Sequence, residues 1–274
     1  MSAPIPINPA AAPRFVHLKV HSAYSLLEGA LPIGAIAKLS AKLGFPAVAL
    51  TDTNNMFGCL EFSNKLADAG IQPIAGLSLA VDFEDRKAER NGLPAAPTRH
   101  PAHRDGLIAL YAMNEQGYAN LMKLVSRAHL GNNDTDTPHV KAGFLFAHAA
   151  GVIALTGGPD GPVDTAIRDG QAARAETRLA ALATAFGDRL YVELQRHSTT
   201  VEAEAEPQLL GLAYAQGLPI VATNEAYFAA PDDYEAHDAL LCIAEGSYVV
   251  EDNRRRVTKE HYFKSADEMA SLFA

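Results

Sequence analysis

The chain has no tryptophan and only two cysteines in 274 residues. Cys59 and Cys242 show neither metal-ligand spacing nor a disulfide framework, so they read as buried thiols in a reducing compartment. No apolar run approaches the ~20 residues that a membrane-spanning helix needs. Residues 1–14 contain no apolar core of the kind a secretory signal requires and read as a flexible lead into the first strand. A cytoplasmic location with no membrane partner follows as the expectation. Basic residues are scarce: 23 Lys and Arg face 32 Asp and Glu, for a formal charge of −9. That balance argues against these residues binding nucleic acid alone, because phosphate neutralisation requires a clustered cationic surface. The one dense basic run, Arg254, Arg255 and Arg256 followed by Lys259, reads either as a solvated loop or as a contact with a neighbouring domain or with DNA. Walker-type phosphate loops, Gly-x-Ser-x-Gly elbows and His-Glu-x-x-His spacings are missing.

What is present alternates. Strand-like runs occur at residues 15–21, 47–52, 73–81, 107–112, 152–156, 190–195 and 219–223. Between them, Ile33, Ile36, Leu39 and Leu43 form one helical stripe, Leu121, Leu124 and Ala128 another, and residues 172–186 are rich in strong helix formers. Thr199 with Glu202, Asp232 with Glu235, and Ser265 with Glu268 fit capping boxes. Gly44, Gly70, Gly187 and Gly217 fall where helices should stop. Seven strands separated by helices predict parallel βαβ units in an α/β fold, either closed into a barrel or open and doubly wound. In both forms chemistry collects at the C-terminal strand ends, here His21, Asp52, Gln195, Asn224 and Glu225. Residues 82–104 and 131–141 look like mobile surface insertions. A helix opened by Ser265 runs to Ala274 without a stop signal, as in a piece of a longer polypeptide.

The stretches FVHLKVHSAYSLLEGA, GFPAVALTDTNNMFGCLEF and AGIQPIAGLSL resemble the PHP (polymerase and histidinol phosphatase) domain of bacterial DNA polymerase III alpha subunits. The likeness continues through NEQGYANLMKLVSRAH, GVIALTGG, RLYVELQRHS, GLPIVATNEAYF and EAHDALLCIAEGSYVVEDNRRR to HYFKSADEM. It runs from Phe15 to Ala274 with the blocks in family order. The resemblance implies a distorted seven-stranded (β/α)7 barrel over residues 15–233. Residues 234–274 then begin the connection to the polymerase domain, a block that free-standing PHP phosphatases lack.

In that family the cleft holds up to three divalent ions, which generate hydroxide and clamp developing charge during phosphoester hydrolysis. The matching positions here are depleted. The family's His-Ser-Asp reads His21, Ser22 and Ala23, and the aspartate of Leu-Asp-Gly becomes Glu28. Thr-Asp-His reads Thr51, Asp52 and Thr53. The glutamate after Gly-Cys becomes Ser78, the histidine opening the fourth strand becomes Leu107, and the cysteine of Leu-Ser-Gly-Cys becomes Gly158. Asn-Asp-Val-His reads Asn224, Glu225, Ala226 and Tyr227. Of the nine usual ligand positions His21 alone is unchanged, while Glu28 and Glu225 survive as homologous carboxylates. Alanine, leucine and glycine offer no donor, and threonine, serine and tyrosine are poor ligands for zinc or manganese. A single ion on His21, Glu28 and Glu225 is the minimal alternative. Ala23, Leu107 and Gly158 are expected to fill or line the cleft instead.

Read as ordinary structure, His21 is a hydrogen-bonded rim residue and Asp52 steadies the cleft by accepting backbone N–H bonds. Glu193 and Gln195 share one strand face, and a glutamate inside a barrel requires a partner such as arginine or histidine. The remaining histidines, including His100, His103, His129 and His197, read as surface residues.

The resemblance therefore implies a metal-free, inactive scaffold that stabilises the polymerase domains of its own chain and docks the epsilon proofreading exonuclease. It would need no cofactor itself, with magnesium confined to a polymerase site outside these residues, and would reach DNA only through the full-length subunit. The alternative is a metal-dependent 3′–5′ exonuclease or phosphoesterase working from the residual cleft.

Overall fold

The computed structural model describes residues 15–85, 106–133 and 136–274. Among the described residues nine strands are formed: β1 (Lys19–Val20), β2 (Ala47–Leu50), β3 (Gln72–Asp82), β4 (Leu107–Ala112), β5 (Val140–Lys141), β6 (Val152–Leu155), β7 (Leu190–Leu194), β8 (Ile220–Ala222) and β9 (Glu225–Ala226). Among the described residues the helices are α1 (Ile33–Leu43), α2 (Cys59–Asp68), α3 (Glu115–Leu130), α4 (Ala142–Ala147), α5 (Pro162–Arg168), α6 (Ala172–Phe186), α7 (Thr200–Ala215), α8 (Tyr234–Glu245) and α9 (Ala266–Leu272).

Local chemistry sets most of the helix ends. Gly44 closes α1 with φ of 72°, a left-handed conformation that costs glycine little. Capping boxes at Thr199/Glu202 and Ser265/Glu268 open α7 and α9. The box expected at Asp232/Glu235 does not form. A 3₁₀ turn, Pro231–Asp233, precedes α8, and Asp233 instead accepts from the Ala230 N–H at 3.0 Å. The last helix also ends earlier than expected, at Leu272, where Phe273 turns to pack beneath the Arg196 guanidinium.

The main sheet runs β2-β3-β4-β6-β7-β8, with β5 paired to β3. A short parallel pair, β1 with β9, completes the curl. The His17–Val48 bridge ties β1 to β2, and the chain passes directly from β8 into β9. The expected first strand over residues 15–21 is thus reduced to two residues plus isolated bridges.

The expectation of uniformly parallel strands fails at β4, which is antiparallel to both β3 and β6. Period-two alternation fixes which face a side chain takes and carries no information about strand direction. The reversal places the start of β4, at Leu107, beside the ends of its neighbours. Residues 131–141 are also more than a surface insertion: β5 pairs Val81 with Val140, which is buried in the core. The base of the 82–104 stretch is anchored through Asp85 on Arg178 and Glu84 on Lys141. Residues 1–14, 86–105 and 134–135 lie outside the described residues.

Alternation sorts the core into layers. Ile108, Leu110, Val152, Ala154, Leu190 and Val192 face outward onto α3–α7, and Val48 and Leu50 pack with α1 and α2. The opposite faces contribute Ala49, Ala109, Tyr111 and Leu155 to a small interior cluster, flanked by Tyr191 and Val221. Glu193 is two residues beyond Tyr191 on β7, so the same alternation aims a carboxylate into that interior.

Candidate functional site

Above the apolar interior cluster, charged groups converge from β1, β7, β9 and two loops. Lys19 is 0% exposed. Its Nζ donates to the Gly157 carbonyl at 2.9 Å and lies 3.2 Å from Glu225 and 3.9 Å from Glu193. Burial alone would lower the lysine pKa, but the charges of Glu193, Glu225 and Asp160 overturn that and hold it raised. Glu193 is engaged on both oxygens. Oε1 accepts from Gln195 at 2.8 Å and from the Thr223 hydroxyl, and Oε2 accepts from the Gly157 N–H at 3.0 Å. Its charged partner is therefore a lysine, rather than the arginine or histidine expected.

The three ligand-capable residues fall in one cleft and are already committed. His21 Nε2 donates to Glu225 Oε1 at 2.9 Å, the same oxygen that Lys19 faces. The His21 ring stacks on Tyr227 at 4.6 Å. Burial would raise the pKa of Glu225, but Lys19 and then His21 outweigh it and hold the carboxyl well below its usual range. Glu28 accepts from the Thr53 hydroxyl at 2.6 Å on one oxygen and from Arg255 at 3.0 Å on the other. There too burial is outweighed, chiefly by Arg255, and the pKa is lowered. Tyr227 is pushed up by burial and by Glu225, which keeps its phenol protonated. Among the described residues, no group of three His, Cys, Asp or Glu side chains is placed to hold a metal ion.

Asp52 organises the loop beside this cluster. It accepts from the Ser22 N–H at 2.7 Å, the Ser22 hydroxyl at 2.8 Å and the Ser25 hydroxyl at 2.7 Å. Asn224 donates to the Tyr262 carbonyl at 2.8 Å and so faces the C-terminal segment rather than the cleft centre.

The positions expected to have lost a ligand divide into four kinds. Thr53 and Tyr227 remain in the polar network. Leu107 and Ser78 are buried in the strands, the latter with its hydroxyl unpartnered. Ala23 is exposed and fills nothing, contrary to the packing role expected for it. Gly158 has φ of +63°, and a Cβ there would lie 2.8 Å from the Gln195 side chain. The absence of a side chain at 158 and the inward Gln195 are thus sterically coupled.

Several participants escaped the sequence reading. Arg255 belongs to a run expected to be solvated or to touch another domain or DNA, yet it turns into the cleft, and Arg254 pairs with Asp238 at 2.5 Å. His197 and His261, expected on the surface, are buried and stacked at 3.9 Å. His197 donates through Nδ1 to Glu202 at 2.7 Å and accepts the Glu225 N–H on Nε2 at 3.2 Å. Burial, and then the neighbouring His197, lower the pKa of His261 to about 3. His17 and His237 are buried as well, whereas His100 and His103 lie outside the described residues. The one local signal was Lys19 itself, a charge set between Leu18 and Val20 in an apolar run.

A curled mixed sheet with a polar cleft at one end of its interior defines a class, and sequence comparison supplies the family. The model described as "PHP domain" matches residues 17–197, and the chain belongs to that family. The DNA polymerase III subunit alpha of Caulobacter vibrioides is 48% identical over 260 residues, which are 95% of this chain and 22% of that protein. The protein of the same name from Pseudomonas aeruginosa is 35% identical over 261 residues, 95% of this chain and 21% of its own length. The chain thus spans about a fifth of the length of the curated relatives it matches. A solved amidohydrolase from Chromobacterium violaceum aligns with 77% of this chain and 87% of its own at 13% identity, with a TM-score of 0.48.

Proposed function

We propose that this chain is a ligand-depleted PHP domain of a replicative polymerase alpha subunit, serving as scaffold rather than hydrolase. One observation carries the reading: His21 pairs with Glu225, which also faces Lys19, while Glu28 is held by Thr53 and Arg255. A divalent ion at Glu225 Oε1 or Glu28 Oε1 would compete with the Lys19 ammonium or the Arg255 guanidinium, and closely spaced cations require several bridging carboxylates. The donor set does not fit such a cluster, so no hydrolytic step is assigned to it. Two side-chain cations supply fixed positive charge, which neutralises the carboxylates but cannot generate hydroxide.

In this role residues 15–233 form the barrel and residues 234–274 lead toward the polymerase domains of the same chain. The domain stabilises those domains, docks the epsilon proofreading exonuclease and meets DNA only through the whole subunit in the cytoplasm. Magnesium belongs to the polymerase site, outside these residues. A single-strand 3′-end nuclease assay with added manganese or zinc separates this reading from a residual exonuclease: no cleavage above a Glu28→Gln, Glu225→Gln control is expected. Metal-dependent cleavage abolished by that double variant would overturn it. Calorimetry with the epsilon subunit of the same organism tests docking, and absence of binding to both this chain and the full subunit would remove that part.

A further inference from the structure

Between α8 and α9 the chain does not run away over the surface; it returns to the cleft and is fixed there at several points. The Arg254 side chain, 1% exposed, holds Asp238 through both carboxylate oxygens at 2.6 and 2.5 Å. The Thr258 hydroxyl donates to the His197 carbonyl at 2.7 Å. His261 stacks on His197, and its carbonyl accepts from the Tyr227 N–H at 2.9 Å. Between these anchors Arg255 enters the cleft and donates to Glu28 at 3.0 Å across 227 residues of sequence. The charge of Asp160 acts on it as well, from another element. What stays open is a cavity of about 160 Å³ bordered by Gln195, Thr199, Glu225, Tyr227, Arg255 and His261.

We propose that the cleft is a guanidinium-binding site filled in cis by Arg255, and that residues 247–264 form a strap which this arginine latches over it. The proposal rests on the metal-free reading, because an ion on Glu28 would compete for the carboxylate that holds the latch. Arginine suits the site because its charge is permanent and its planar fork presents several donors at once, whereas lysine offers a compact, strongly hydrated point charge. Arg254 and the His197–His261 stack align the strap, and Arg255 senses whether the cleft is filled. Cleft occupancy and the order of the segment leading into α9 are then one equilibrium, and a ligand that takes Glu28 frees the strap.

Hydrogen exchange read by mass spectrometry on this chain tests the latch, run in EDTA and alongside metal analysis of the same preparation. Arg255→Ala is expected to speed exchange in residues 247–264 by about tenfold or more while β4 and β6 keep their protection, as local opening does. Millimolar methylguanidinium should restore protection, and methylammonium should not. Arg255→Lys, which keeps the charge and guards against a variant that fails to fold, should open the strap to an intermediate degree. The charge exchange Glu28→Arg with Arg255→Glu should close it again. Unchanged exchange in metal-free Arg255→Ala, or equal rescue by the two cations, overturns the latch alone. Bound metal in the unaltered protein overturns the reading beneath it.

Discussion

The two ends of the sheet interior are filled by opposite means. At one end Ala49, Ala109, Tyr111 and Leu155 meet in an apolar layer. At the other, Lys19, Glu193 and Glu225, with His21, Glu28 and Arg255 beside them, occupy a comparable space with fixed charges. The apolar end is held by non-directional burial, each side chain contributing in proportion to area, at about 25 cal/mol per Å². The charged end is interdependent. A buried ion pair adds little over well-packed apolar groups, yet removing one partner strands the other charge. Side-chain cations that neutralise buried carboxylates can therefore hold such a cleft in shape, but only as a set.

Lys19→Met should separate the two ends most sharply. It leaves Glu193 and Glu225 without their buried ammonium and is expected to destabilise by about 3–5 kcal/mol in urea unfolding at neutral pH. Adding Glu225→Gln should recover part of that loss. Leu155→Ala at the apolar end should cost about 2–4 kcal/mol. Its cost should be insensitive to salt and pH, whereas the cost of Lys19→Met should shrink in acid as the stranded carboxylates protonate. Equal pH profiles for the two variants would erase the distinction.

Gly158→Cys returns a donor atom to the cleft but drives a Cβ into Gln195 from a left-handed backbone. A loss of about 1–3 kcal/mol is expected, from crowding and backbone strain. Pairing it with Gln195→Ala should relieve the crowding and leave the backbone cost.

The acid limb of stability should report on the buried histidines and on Glu202, which holds His197. Burial lowers the pKa of His17 to about 4 and that of His261 to about 3, so the unfolded chain takes up their protons first as pH drops below about 6.5. Glu202 falls to about 2: burial would raise its pKa, but the hydrogen bond and charge of His197 outweigh this. The stability it contributes is present above the unfolded carboxylate value and lost as pH falls through about 2. Both kinds of group make the protein less stable in acid, by about 1.4 kcal/mol per pH unit for each proton taken up differentially. Exchange measured between pH 7 and 4 should rise around His197 and His261 before it rises in β4 and β6; the reverse order would contradict the account.

The apolar half was the more legible in sequence. Helical stripes, capping residues and apolar runs placed α1, α3, α6, β3, β4 and β7 because those signals are local and repeat over several residues. The direction of β4 was not legible, since alternation is the same for both senses of a strand. The positions expected to be depleted were named one by one through the resemblance, but the partners that side chains find around them were not legible. Arg255 and Glu28 meet across most of the chain, and nothing near Arg255 distinguishes it from the arginines on either side. Lys19 was legible in principle, because a lysine within an apolar strand has to find a buried counter-charge. Gly158 shows the remaining difficulty: the glycine is visible in the sequence, whereas the Gln195 side chain that occupies the space beside it is visible only in the fold.

Elemental analysis of freshly purified protein, prepared without chelators and scanned for zinc, manganese and iron, decides whether side chains or metal ions neutralise the cleft. If Lys19 and Arg255 have taken over from metal ions, the protein carries less than a tenth of an equivalent of any of them, and its Tm is the same with and without EDTA. Two or three stoichiometric ions, with a Tm that falls by more than a few degrees on chelation, would mean that the cleft still holds a metal centre.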